Sequence, residues 1–202
     1  LLKAAIEESS VINEKVKAIR KKYKNPTNLL LKAVEAKDIE SVRVLLNSGT
    51  ENVNQCNNTS KVTPLIQAAW SKQDQMVELL LKQPTINVNA ANKSLTTALH
   101  WACSKSDIVI VRLLLKHPKI NVHLKTVSGR TAMYCCGSGN ANIKQLLKQH
   151  GAGNVNEIQT RYGNKDELIK AAKAGNVSDV KVLLEAGFDV NLKGSVAVNN
   201  NT

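Results

Sequence analysis

Apolar residues recur along the chain in short clusters with helical spacing. The cluster Val/Ile-x-x-Leu-Leu occurs at Val42…Leu45-Leu46, Val77…Leu80-Leu81, Val111…Leu114-Leu115, Ile143…Leu146-Leu147 and Val180…Leu183-Leu184. Residues at i, i+3 and i+4 share one helical face, so each cluster predicts a helix with a single buried stripe. A shorter apolar stretch, opened by a polar residue, precedes each one. The clearest are Thr63-Pro64-Leu65-Ile66-Gln67-Ala68-Ala69, Thr97-Ala98-Leu99-His100-Trp101-Ala102-Cys103 and Thr131-Ala132-Met133-Tyr134, with weaker versions from Asn28 to Val34 and from Asp166 to Ala172. The opening residues fall at 28, 63, 97, 131 and 166, giving spacings of 35, 34, 34 and 35. A third mark keeps nearly the same period: Val53-Asn54, Val88-Asn89, Val122-His123, Val155-Asn156 and Val190-Asn191.

The local chemistry of one unit is a helix, a turn, a second helix and a loop. Thr or Asp opens the first helix because its side-chain oxygen can accept from the free amides of the first turn. Pro64 follows Thr63, where a missing amide proton costs nothing. The Ala pair lets a neighbouring helix come close. The second helix ends at Gly49, Gly151 or Gly187, or near Pro84 and Pro118. Turn formers such as Asn57-Asn58 and Ser128-Gly129 then predict a loop. Two short helices cannot bury their own stripe, so the units must stack, each buried Leu or Val contributing about 1.5–3 kcal/mol.

These three marks resemble the ankyrin repeat, whose period is about 33 residues. The resemblance runs from Asn28 to Asn191, in five copies, and implies an all-α solenoid of stacked helix-turn-helix units joined by hairpin loops. The expected units are 26–58, 59–92, 93–126, 127–161 and 162–192. Residues 1–25 read as a partial repeat, in which Leu1 to Ala5 end a first helix and Val11 to Tyr23 form a long basic second helix. Residues 193–202 read as a polar tail or the start of another repeat. Both ends read as cuts within a longer array. The fourth copy departs from the pattern: 12 residues separate Thr131 from Ile143, against 14 in the other copies (28 to 42, 63 to 77, 97 to 111, 166 to 180). A shortened or irregular first helix is expected there.

Composition refines the picture. The chain has 202 residues with 43% apolar and only 3% aromatic, fitting thin layers of Leu, Val, Ile and Ala. It carries 28 basic and 16 acidic residues, a net charge of +12, which favours encounter with acidic partners. No apolar run is long enough to span a membrane, so membrane insertion is not expected. Four cysteines, two of them adjacent (Cys135 and Cys136), predict reduced thiols and an intracellular setting, cytosolic or nuclear. The low aromatic content with abundant Asn and Lys is similar to ankyrin arrays from AT-rich genomes, among them intracellular bacteria that deliver such proteins as effectors into host cells.

Catalytic motifs are absent: the chain has no phosphate-binding glycine loop, no Gly-x-Ser-x-Gly and no His-Glu-x-x-His. It is read as non-enzymatic, with no catalytic residue, no metal site and no cofactor. His100 stands where the resemblance implies a turn-bracing ring. Cys103, Cys135, Cys136 and His100 lack the paired spacing of zinc ligands and read as fillers of small core slots.

A protein partner is expected, bound by a monomeric module on its concave and hairpin face. The resemblance places contacts at the hairpin tips before each opening Thr and at the exposed end of each first helix. Those residues are Thr59, Ser60 and Val62; Trp70 and Ser71; Lys93, Ser94 and Thr96; Lys105; and Ser128 with Arg130. Trp101 joins them because its slot holds Lys32, Gln67, Trp101, Cys135 and Lys170 in successive copies, a spread of volumes that a repeated core would not allow. Trp70 and Trp101 are expected to flank one another as binding anchors. Two alternatives stay open. One is a targeting segment of a larger enzyme whose catalytic domain lies outside the chain. The other is binding of nucleic acid or an acidic surface through Lys15, Lys17, Arg20, Lys21, Lys22 and Lys24, disfavoured because no aromatic stacking platform accompanies them.

Overall fold

The structure, a computed structural model, describes residues 2–24, 26–137, 139–151, 167–175, 177, 180, 183 and 184. A long helix, α1 (Leu2–Lys22), precedes three complete helix pairs: α2 (Leu29–Glu35) with α3 (Ile39–Ser48), α4 (Pro64–Trp70) with α5 (Asp74–Leu81), and α6 (Ala98–Ser104) with α7 (Ile108–Leu115). A fourth pair is α8 (Ala132–Cys135) with α9 (Ala141–Gln149), and α10 (Glu167–Lys173) is the first helix of a fifth unit. The described residues form no strand beyond the isolated bridges Ala91–Thr97 and Lys125–Thr131. The all-α repeat architecture is as the periodicity predicts. The expectations at Val155-Asn156, Asp166, Gly187, Val190-Asn191 and 193–202 lie outside the described residues.

Packing follows the two apolar stripes. The first helices stack as one row, α2 on α4 on α6 on α8, and α2, α4 and α6 each lie against their own second helix. In the second row α1 packs on α3, and α7 lies between α5 and α9. The Val-x-x-Leu anchors Val42 and Leu45, Val77 and Leu80, and Val111 and Leu114 are all fully buried. So are Ala33, Ala68, Ala69, Ala98 and Ala102, whose small side chains let the first row close up.

Helix starts at Thr and Asp are capped by their side chains, whereas Asn28, Gln73 and Asn140 make no such cap. Thr63 accepts from the Ile66 amide at 3.3 Å, Thr131 from Tyr134 at 3.4 Å, and Asp38 and Asp107 from Ser41 and Ile110 at 3.1 Å. The turn inside each pair passes through a left-handed residue: Lys37, Lys72 and Ser106, then Gly137. In the second and third units it lies nine positions after the cap (63 to 72, 97 to 106), but in the fourth only six (131 to 137). Three residues are thus lost from α8, which has four where α4 and α6 have seven, and one is regained after the turn (137 to 143, against 72 to 77 and 106 to 111), leaving the net deletion of two.

One expectation is corrected. Residues 2–5 do not end a separate first helix; they continue into α1, a single helix of 21 residues. The stretch from Lys3 to Val11 holds no Gly or Pro, and Ala, Ile and Glu propagate a helix readily. Val16 and Ile19 face α3 and are buried, so α1 occupies a second-row place.

Asparagine explains the Val-Asn mark. The Asn54 side chain accepts from the Asn87 amide at 2.7 Å and donates to the Thr85 carbonyl at 2.7 Å, one unit further on. Asn89 repeats this with the Asn121 amide at 2.8 Å and the Lys119 carbonyl at 2.6 Å. Each Asn clasps the next loop while its Val plugs the core.

Candidate functional site

The hairpin loops are built alike. The amides of Asn57, Asn92 and Thr126 donate to the carbonyls of Val62, Thr96 and Arg130 at 3.0–3.1 Å. Lys61, Leu95 and Gly129 occupy the same left-handed turn position. Neighbouring hairpins are also joined: Lys93 N–H donates to the Ser60 carbonyl, and Val127 N–H to the Ser94 carbonyl, both at 3.0 Å. The tips therefore form a continuous backbone ladder.

His100 anchors the hairpin base. Its Nδ1 accepts from the Thr97 amide at 3.3 Å, which fixes the proton on Nε2, and Nε2–H donates to the Arg130 carbonyl at 3.1 Å. The ring is 2% exposed. Burial pushes its pKa below the ordinary value, opposed by hydrogen bonds to the Arg130 and Leu124 carbonyls. A neutral, doubly bonded ring is a brace rather than a base.

Beside this ladder lies the aromatic pair. Trp70, at the end of α4, and Trp101, in the middle of α6, meet edge to face with ring centroids 6.4 Å apart and planes at 70°. Trp70 is 46% exposed and Trp101 is half-buried. Lys105 holds its ammonium 5.7 Å from the Trp70 ring centroid, and Arg130 places its guanidinium 5.2 Å from that of Tyr134. Between Trp101 and the third hairpin opens a cleft of about 460 Å³, walled by Ser94, Thr96, Trp101, Val127, Ser128 and Arg130 among others.

The structure brings much of the sequence-derived set together. Ser94, Thr96, Trp101, Ser128 and Arg130 line the cleft, and Trp70 and Lys105 join it through the ring contacts. Thr59 and Lys93 are exposed on the ladder. Ser60, Val62 and Ser71 are half-buried, with Ser60 donating to Asn57 Oδ1 and Ser71 accepting from Gln67. Sequence reasoning missed Leu95, Val127 and Tyr134, which are 51%, 70% and 64% exposed. Leu95 and Val127 could be found only from their place in a hairpin turn, where an apolar residue has no core to enter. Tyr134, in contrast, stands in the slot that holds the buried Ile66 and His100 in earlier copies, so the repeat pattern pointed inward.

The other candidates resolve differently. Of the basic run on α1, Arg20 pairs with Glu51 and Lys22 with Asp38, both at 2.5 Å, and Lys17 with Glu14 at 2.7 Å. Half of that run therefore already has carboxylate partners. Asp38 is a hub: burial raises its pKa, but hydrogen bonds from Lys22, Ser41 and Tyr23 outweigh this and hold the carboxyl well below the usual range. All four cysteines are free thiols. Cys103 and Cys136 are buried, on α6 and just after α8, and hydrogen bonding to Cys136, reinforced by burial, drives the Cys103 thiol far up. Burial likewise raises Cys135, so neither of these two is an activated nucleophile. Among the described residues, no group of three or more His, Cys, Asp or Glu side chains is placed to hold a metal ion, and no helix is long and apolar enough to cross a membrane.

A family model for ankyrin repeats (three copies) matches residues 1–92 and 86–155. No curated protein matches the chain.

Proposed function

Because the chain belongs to the ankyrin repeat family, whose repeats generally mediate protein–protein interaction, we propose that it is a non-enzymatic module that binds a partner protein on the face formed by its hairpin tips and first-helix row. The observation that carries this reading is the edge-to-face pair of the exposed Trp70 and the half-buried Trp101 in a chain with so few aromatics. Large aromatic side chains next to cations are the residues that most often dominate binding energy. Thr59, Ser60 and Val62, Lys93, Ser94 and Thr96, and Ser128 with Arg130 supply the rim, and Ser71 and Lys105 border the tryptophans.

The module acts as a monomer, and its four free thiols favour an intracellular place. Delivery into a host cell as an effector is a special case, supported by composition alone. Binding through α1 is the weaker reading, since Arg20, Lys22 and Lys17 are engaged by carboxylates of this chain.

The test is capture from cell lysate by this chain and by its Trp70→Ala/Trp101→Ala variant in parallel. Loss of the captured partners with the variant supports the reading; equal capture removes both tryptophans from the interface.

A further inference from the structure

We infer that the Trp101 face takes a short acidic segment of its partner, one apolar side chain entering the cleft and flanking carboxylates meeting Arg130 on one side and Lys105 on the other. This rests on the protein-binding reading above and names the chemistry of its ligand.

Charge complementarity carries it. The cleft is lined by one cation, Arg130, and by the hydroxyls of Ser94, Thr96, Ser104, Thr126 and Ser128, and no Asp or Glu is among its lining residues. Six other cations are bound by carboxylates of this chain: Lys17, Arg20, Lys22, Lys32, Arg43 and Lys82. Among the described residues Lys105 and Arg130 share with most of the remaining lysines the lack of an ion pair, but what sets them apart is that each lies over an exposed aromatic ring. A cation seated on a ring face keeps its outward N–H groups for an incoming acceptor, and a guanidinium suits a carboxylate in particular. The ring contacts also hold both side chains in place before the ligand arrives, which lowers the ordering cost of binding.

The apolar part is equally specific. Val127 and Trp101 wall the same cleft, and Val127 is 70% exposed. Covering it with an aliphatic side chain removes that surface from water, whereas a fully charged or fully polar segment would leave it wet.

The probe is a fluorescein-labelled peptide, Asp-Glu-Asp-Leu-Asp-Glu-Asp, followed by fluorescence anisotropy. Its comparators are the Asn/Gln version with the same Leu and the acidic version with Gly in place of Leu. The acidic Leu peptide is expected to bind tightest of the three. Lys105→Glu and Arg130→Glu should each weaken it about fivefold or more, and Trp101→Ala about tenfold or more. Trp101→Phe, which keeps the volume of the core side of the ring, provides the reading if the Ala variant unfolds. Lys116→Glu with Lys148→Glu makes a larger change in net charge on the second-helix row and should alter affinity by less than about twofold beyond the long-range screening effect. Equal weakening by that remote pair, or equal binding of the Asn/Gln peptide, overturns the inference.

Selection of random heptapeptides on the same protein separates this failure from that of the broader reading. A neutral or basic consensus whose binding needs Trp101 overturns the acidic ligand and keeps the face. Peptides indifferent to Trp70, Trp101, Lys105 and Arg130 overturn both.

Discussion

His100 donates from Nε2 to the backbone carbonyl of Arg130, thirty residues further along the chain, at 3.1 Å. The same ring closes a capping box with Thr97, so one side chain starts α6 and fastens the next hairpin to it. The base of the cleft is set by this bond.

His100→Ala should therefore cost about 1–3 kcal/mol, the usual penalty for leaving buried polar groups unpartnered, read from the denaturant midpoint. The pH dependence has a definite sign. The folded-state pKa is lowered, so the unfolded chain takes the proton first and the contribution is complete above about pH 6.5, the unfolded value. Stability should fall as the pH drops below that value, and less steeply in His100→Ala than in the native chain.

Asp38 behaves with the same sign at lower pH. Its carboxyl caps α3 and receives Lys22 and Tyr23 from α1 and the residue after it. Since its folded pKa is lowered, this contribution is present above about pH 4 and is lost as the pH falls from there. Asp38→Ala should cost about 0.5–2 kcal/mol through the lost cap. Amide hydrogen exchange in α1 should accelerate more than in α6.

Asn54→Ala and Asn89→Ala each remove two hydrogen bonds to the following loop. Each should lower stability by about 1–2 kcal/mol. Replacement by Asp keeps the acceptor but loses the donor, and should fall between the native chain and Ala in thermal melts.

Leu114 is fully buried in α7, whereas Val127 stands 70% exposed on the hairpin ladder. Leu114→Ala should cost about 2–5 kcal/mol, while Val127→Ser should stay within about 0.5 kcal/mol. The same Val127 change should weaken the acidic Leu peptide, which separates stability from recognition at one position.

What the sequence revealed follows from what repeats. The buried anchors Val42, Val77 and Val111 recur at a fixed interval because every unit meets the same neighbour, so fold and register could be read without coordinates. The shortening of α8 was legible for the same reason, as a deviation from that interval. The candidate site was legible only where it reused the pattern: Trp70 and Trp101 stood out as large residues in slots of variable size, and the two rings do meet. Leu95, Val127 and Tyr134 were not found, because exposure of one apolar residue depends on which wall it faces and no period encodes that. The continuity of α1 was missed too: the repeat pattern placed a break between Ala5 and Val11, but no glycine or proline enforces one there. The partners of Arg20 and Lys22 lie on other elements, in Glu51 and Asp38, beyond the reach of a local charge count.

The bonds from Lys93 to Ser60 and from Val127 to Ser94 have a bearing on how such a chain can change. An insertion in one tip would break step with the rungs on either side, so length variation is tolerated least where variation in residue type is freest. New specificities would arise here by exchanging side chains on a rail of constant gauge, and the rail itself would grow or shrink by whole units.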